Sequence, residues 1–258
     1  MMLEVNGRNV NSFNINGGQL VVVASRPSMG KSLFMLNQIK YLCGEKGEAA
    51  LIISLDESKD KLAERLASLC GGVDSDRMHF GNLSDNDWES VIKSAKNILE
   101  WRFFIEDENI PLESICERIR AIQNEKSISV AFIDYIQLIG CNRNMKSRNE
   151  EVGYIMSELK NVAMELDIPI VVLSQLSRTC EKREDHRPVL MDIRETALRG
   201  ENADMVLLLY REGYYRCNPS NSYGCDPMDA EVIVAKYPNM QEMPVTIPMY
   251  YSVDNGWY

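Results

Sequence analysis

Apolar strand-like runs alternate with amphipathic helical ones from Leu20 to about Leu209. Strands are predicted at Leu20–Ala24, Ala50–Leu55, Phe103–Ile105, Val130–Asp134, Ile170–Leu173 and Met205–Tyr210. Their near-continuous Val, Ile and Leu content is that of strands buried on both faces, as in a parallel sheet. The intervening segments keep helical spacing: Leu33 to Leu42, then Leu112, Ile115, Ile119 and Ile122, then Val152, Ile155, Met156, Leu159, Val162 and Leu166. Ser84 and Asp87 open another helix with a capping-box-like pair. After Tyr210 the texture changes, and Gly213–Asp229 is polar and rich in Gly, Pro and Asn. The runs Ala230–Ala235, Val245–Tyr251 and Gly256–Tyr258 then read as an antiparallel extension. No repeat, low-complexity tract or interdomain linker interrupts the chain. The expectation is one doubly wound α/β domain over 1–258, with a short lead at 1–18 and the antiparallel extension at 211–258.

The first strand runs directly into Ser25-Arg26-Pro27-Ser28-Met29-Gly30-Lys31-Ser32, and a helix-like run follows. Strand, tight loop and helix start is the context in which a G-K-S string binds phosphate. The loop N–H groups and the positive end of the helix dipole suit a triphosphate. Lys31 is expected to neutralise the β- and γ-phosphates and the Ser32 hydroxyl to ligate Mg²⁺, so ATP and Mg²⁺ are the implied cofactors. The strict motif begins with Gly, where this chain has Ser25.

Turnover needs more than a phosphate loop. The apolar strand Val130–Ile133 ends in Asp134, and burying that strand brings the carboxylate to the rim where ligands collect in such folds. Asp134 is therefore a candidate Mg²⁺ ligand, direct or through water. The second strand ends in Asp56-Glu57, and either carboxylate could orient the attacking water; either could also simply open the next helix. Gln175, at the end of the fifth strand, could bond the γ-phosphate or its water and report its loss to the loop that follows.

Acidic residues number 38 against 28 Lys and Arg, which argues against a protein that coats nucleic acid over its whole surface. Two loops are locally basic: Cys141 to Arg148, with Arg143, Lys146 and Arg148, and Arg178 to Arg187, with Lys182 and Arg183 between. A charge run is usually a solvated loop, and composition alone says no more. The seven cysteines form no C-x-x-C pair, so neither a zinc site nor a disulfide framework is indicated, and reduced thiols in a cytoplasm fit. No apolar run approaches the ~18 residues of a membrane span, and Met1 to Asn6 lacks the regions of a signal peptide.

Together these segments resemble the C-terminal motor domain of DnaB-type replicative helicases, hexameric relatives of RecA. The strings R-P-S-M-G-K-S, I-D-Y-I-Q-L and L-S-Q-L-S-R carry the resemblance, supported by Arg65–Leu69, Asn82–Trp88, Asp192–Glu195 and Ala203–Tyr210. It implies a RecA-like fold, ATP at each interface of a homo-oligomeric ring, and single-stranded DNA in the central channel. It further implies that Gln175 couples nucleotide to DNA and that Asp56 takes the place of the family's catalytic Glu, with Glu57 next to it. The DNA-facing loop of the family reads Arg-Glu-Ser-Gly; here Arg194-Glu195-Thr196-Ala197 lacks the Gly. With Arg143, Lys146, Arg148 and Arg178, Arg194 and Glu195 are the implied DNA-binding residues. The family's Lys-x-Arg-Asn segment, whose cations reach into the neighbour's site, is here Lys236-Tyr237-Pro238-Asn239: Lys236 keeps its place and Pro238 replaces the arginine finger. Arg211 or Arg216 are possible substitutes. The family's N-terminal domain and linker helix have no counterpart before Val21, so self-association is expected to be weak and nucleotide-dependent. A weakly hydrolysing nucleotide-binding module that assembles on DNA or on a helicase is the alternative expectation. A RecA- or KaiC-like recombinase relative is a third, against which the L-S-Q-L-S-R and R-P-S-M-G-K-S strings count.

Overall fold

The structure, a computed structural model, describes residues 15–195, 202–216, 230–238, 244–252 and 256–257. Eight strands form one sheet: β1 (Leu20–Ser25), β2 (Ala50–Ser54), β3 (Phe103–Glu106), β4 (Val130–Asp134), β5 (Ile170–Gln175), β6 (Met205–Arg211), β7 (Ala230–Lys236) and β8 (Val245–Met249). Their spatial order is β3-β2-β4-β5-β1-β6-β7-β8. Strands from β3 to β6 in that order are parallel, and β7 and β8 add on antiparallel. The continuous apolar runs have the burial they imply, since β1, β2 and β4 are buried at every position.

Helices cover both faces: α1 (Lys31–Ile39), α2 (Lys59–Gly71), α3 (Ser75–His79), α4 (Asp85–Ile98), α5 (Leu112–Lys126), α6 (Arg148–Leu166) and α7 (Glu212–Arg216). The pleat sends alternate side chains to opposite cores. Val21 and Val23 pack with Phe34 of α1, Leu62 and Leu66 of α2 and Val91 of α4. Leu20, Val22 and Ala24 pack with Ile115 and Ile119 of α5 and with Ile155 and Leu159 of α6. Each such Val, Leu, Ile or Phe side chain contributes roughly 1.5–3 kcal/mol by leaving water. The Ser84–Asp87 box forms as read: the Asp87 N–H donates to Ser84 Oγ (3.2 Å) and the Ser84 N–H donates to Asp87 Oδ2 (3.0 Å).

Three boundaries differ from the pattern reading. The helix from Leu33 ends at Ile39 and continues as a π-helical turn, Lys40–Glu45. The polar stretch after Tyr210 begins with α7, which the aromatic packing of Tyr215 on His186 (4.4 Å) and on Tyr210 (6.2 Å) orders. The run Val245–Tyr251 divides, and β9 (Tyr251–Ser252) pairs with β10 (Gly256–Trp257) in a separate two-stranded ribbon. Tertiary packing drives that division. Trp257 sits edge-on to Phe34 (6.1 Å) and its backbone N–H donates to Asn37 Oδ1 (3.0 Å), so the ribbon is drawn onto α1 instead of extending the sheet.

Cys43, Cys70, Cys116, Cys141 and Cys180 are free thiols; Cys217 and Cys225 lie outside the described residues. No helix among the described residues is long and apolar enough to cross a membrane. Parallel pairing brings the carboxyl ends of β1, β2, β4 and β5 to one rim, with Ser25 level with Gln175 and Ser54 level with Asp134.

Candidate nucleotide site

At that rim β1 turns into the loop Arg26–Gly30 and then into α1. Ser28 (φ 63°) and Gly30 (φ 87°) both take the left-handed conformation, which folds the loop back over the helix N-terminus. Only Gly meets the need at position 30. Besides the strain on φ, an added Cβ would stand 2.9 Å from Trp257 Nε1 and from Tyr251 Cε2. Trp257 Nε1 also donates to the Gly30 carbonyl (3.1 Å), so the β9–β10 ribbon braces the loop from behind. Arg211, the last residue of β6, donates to the Ser28 carbonyl (3.2 Å) and lies 3.3 Å over the Tyr251 ring. It is thus engaged with the phosphate loop of its own chain. The side chain of Arg216 lies outside the described part.

In front of the loop lies a cleft of about 300 Å³. Pro27, Ser28, Gly30, Lys31 and Ser32 form one wall, and Asp56, Arg65, Asp134, Tyr135 and Gln175 form the other. Ser32 Oγ donates to Asp134 Oδ2 at 2.7 Å, joining the two candidate metal-binding residues directly. Asp134 is only 2% exposed. Burial pushes its carboxyl above the usual range, opposed by the Ser32 hydrogen bond and by Lys31. Burial likewise lowers the Lys31 amine, while Asp134 and Asp56 pull it back up. Desolvation thus disfavours the charged form of each group, and an added counter-charge would oppose it: phosphates for Lys31, a cation for Asp134. Ser32 and Asp134 are hard oxygen donors that fit Mg²⁺, which takes few protein ligands and keeps several waters.

The two candidate bases part company. Asp56 is exposed and lines the cleft. Glu57 faces α2, where Arg65 (2.7 Å) and Lys61 (2.9 Å) hold it. Burial would raise its carboxyl, but these two cations outweigh it and keep the pKa below the ordinary range. The pattern reading gave no role in the cleft to Arg65 or Tyr135. The signal for Arg65 was its spacing, since Lys61 and Arg65 repeat every four residues after Glu57 on one helical face.

Within the octapeptide Ser25, Arg26 and Met29 do not line the cleft. Ser25 is buried in β1 and donates to the Arg26 carbonyl (2.9 Å), and Met29 is 1% exposed. Arg26 lines a second cleft of about 560 Å³ instead, together with Arg178, Lys182, Arg194 and the buried Glu195. Gln175 lines both clefts. Gln137, just past Asp134, supports it by donating to Ser174 Oγ (2.8 Å) and accepting from the Gln175 N–H (3.3 Å). Thr196 and Ala197 lie outside the described residues.

The other basic loop is arranged differently. Arg148 donates to the carbonyls of Gln137 (2.9 Å) and Ile139 (3.1 Å) and pairs with Glu151 (2.5 Å), while Arg143 stacks over Tyr154 (4.4 Å). The Lys146 backbone N–H donates to Glu150 (3.0 Å). None of the three lines the second cleft. Lys236 lies level with Val206 near the start of β6, away from its own phosphate loop, and donates to the Ala203 carbonyl. Asn239 lies outside the described residues.

A doubly wound sheet with a phosphate loop after β1 and a buried acid closing β4 defines a phosphate-loop nucleotide-binding domain. The DnaB-like helicase C-terminal domain family matches residues 12–251, and the chain belongs to that family, the ATPase motor domain of replicative DNA helicases. The replicative DNA helicase DnaB of Rickettsia felis is 33% identical over 264 residues, covering 93% of this chain and 53% of the relative. The replicative DNA helicase DnaC of Bacillus subtilis is 35% identical over 222 residues, covering 85% of this chain and 48% of the relative. The chain spans about half the length of the curated relatives it matches. Among solved structures, an isolated ATPase domain superposes with a TM-score of 0.83 at 28% identity, covering 94% of this chain and 84% of that one. A DnaB-like replicative helicase, described with its interactions with primase, also gives 0.83 at 28% identity, covering 93% and 57%.

Proposed function

We propose that this chain is an ATP-driven motor that moves on single-stranded DNA, with ATP bound between neighbours of a homo-oligomeric ring in the cytoplasm. The observation that carries the reading is the Ser32–Asp134 hydrogen bond, which joins the phosphate loop to the acid-ended strand at one cleft. In phosphoryl transfer the protein mainly positions groups and stabilises charge. Lys31 and the N–H groups at the head of α1 bind the β- and γ-phosphates. Ser32 and Asp134 would hold Mg²⁺, which supplies charge neutralisation across those phosphates. Asp56 orients the attacking water and Gln175 senses the γ-phosphate. Arg178 and Arg194, with Lys182, contact DNA phosphates from the second cleft; Arg148, bound to four internal partners, contributes mainly to loop structure. Steady-state ATPase activity with and without single-stranded DNA tests the whole reading: DNA-stimulated turnover is expected, and no turnover in either condition overturns it.

The second reading, a weakly hydrolysing nucleotide-binding module, draws on Pro238, which leaves the trans-acting segment without its guanidinium.

Two substitutions separate the roles. Asp134→Asn is expected to weaken nucleotide binding in Mg²⁺ while leaving binding in EDTA nearly unchanged; equal losses in both would count against a metal role. Asp56→Asn is expected to slow hydrolysis by roughly 10²–10⁴-fold with little change in nucleotide affinity, the span of general-base contributions. Glu57→Gln should instead loosen α2 through Arg65 and Lys61 and affect turnover less. Should Glu57→Gln alone stop hydrolysis, the base is Glu57.

A further inference from the structure

Arg26 sits in the phosphate loop but spends its guanidinium elsewhere. Its Nε donates to Glu181 Oε1 (2.9 Å), its Nη2 lies 2.8 Å from the same oxygen, and its Nη1 donates to the Leu176 carbonyl (2.8 Å). A backbone bond runs alongside, from the Leu176 N–H to the Ser25 carbonyl (2.9 Å). The segment so gripped includes the 3₁₀ turn Arg178–Lys182, which carries two of the cations of the second cleft. An exposed ion pair would contribute little. Here Glu181 is 40% exposed but the Arg26 side chain is only 11% exposed, and its planar fork engages the carboxylate and a carbonyl together, a geometry that a lysine cannot reproduce. Any shift of the loop at Arg26 must therefore carry the turn with it or break these bonds.

The geometry points to Arg26 as a positioning residue that couples occupancy of the phosphate loop to the placement of Arg178 and Lys182. DNA affinity then depends on the nucleotide state. The inference rests on the proposed motor function and deepens it by naming the strut. Binding linkage is reciprocal, so DNA must tighten nucleotide binding by the same factor that nucleotide tightens DNA binding.

Glu181 offers the test, because it belongs to neither cleft lining. Glu184 is an exposed acid on the same segment and serves as a charge-matched control. Fluorescence anisotropy of a labelled single-stranded oligonucleotide, with and without a non-hydrolysable ATP analogue, reads the coupling in one direction. Analogue affinity with and without the oligonucleotide reads it in the other. Glu181→Ala is expected to leave DNA-free turnover unchanged and to shrink both affinity ratios by at least about fivefold. Glu181→Gln, which keeps the acceptor and loses the charge, should fall between it and the wild type, and Glu184→Ala should keep the wild-type ratios. Retention of full coupling by Glu181→Ala, or an equal loss in Glu184→Ala, overturns the strut while leaving the motor reading standing. A wild type that binds no DNA overturns the motor reading and the strut together.

Discussion

Lys31→Ala is expected to abolish measurable ATP turnover while the protein stays folded. Lys31 is the second cation of the octapeptide, and the first, Arg26, is bonded to Glu181 and Leu176 instead of facing the cleft. No other loop side chain can then offset the phosphate charge. Burial lowers the Lys31 amine against the pull of Asp134 and Asp56, and a bound triphosphate would add a further counter-charge that favours the ammonium. Removing a single preorganised donor of this kind costs roughly 10²–10³-fold in turnover. The substitution should spare stability, since Lys31 belongs to neither core and Ala suits the first turn of α1. Turnover measured beside a thermal melt decides the matter. A protein with wild-type melting and wild-type turnover would rule this site out.

The opposite change is expected from Pro238→Arg, which should raise turnover at saturating single-stranded DNA. Proline brings neither charge nor N–H to the position where the resemblance implies an arginine finger. In phosphoryl transfer such a finger is worth about 10³–10⁵ in turnover. Lys236, two residues earlier, donates to the Ala203 carbonyl, and an ammonium lacks the bidentate geometry of a guanidinium. Arg211 is tied to Ser28 and Tyr251 of its own chain, so its place is in cis, behind the loop. A gain of at least about tenfold over wild type is the expected result, lost again when Lys31 is also replaced. Fast wild-type turnover that Pro238→Arg leaves unchanged, and that survives Lys236→Ala, would mean that this segment is not the trans-acting element.

Much of this architecture is written in local pattern. The buried runs of β1, β2, β4 and β5 read as parallel strands because a strand covered on both faces has no polar side to show. The phosphate loop, Asp134 and the Ser84–Asp87 box were legible because each depends on residues adjacent in sequence or on the end of one strand. The family followed from short strings whose spacing is fixed by the same local geometry. What sequence left open was any choice between neighbours. Asp56 and Glu57 are equivalent in a pattern, and only the packing of α2 hands Glu57 to Arg65 and Lys61. Arg26 reads as a phosphate ligand from its place in the motif, yet parallel pairing of β1 with β5 sets Leu176 and Glu181 within its reach. The ribbon β9–β10 leaves the sheet because Trp257 and Tyr251 find Phe34 and Gly30, partners more than two hundred residues away. Period and adjacency were enough to place the strands of the parallel sheet, the phosphate loop and the order of the acids. Which side chain faces which cleft follows from long-range partners that no local window contains.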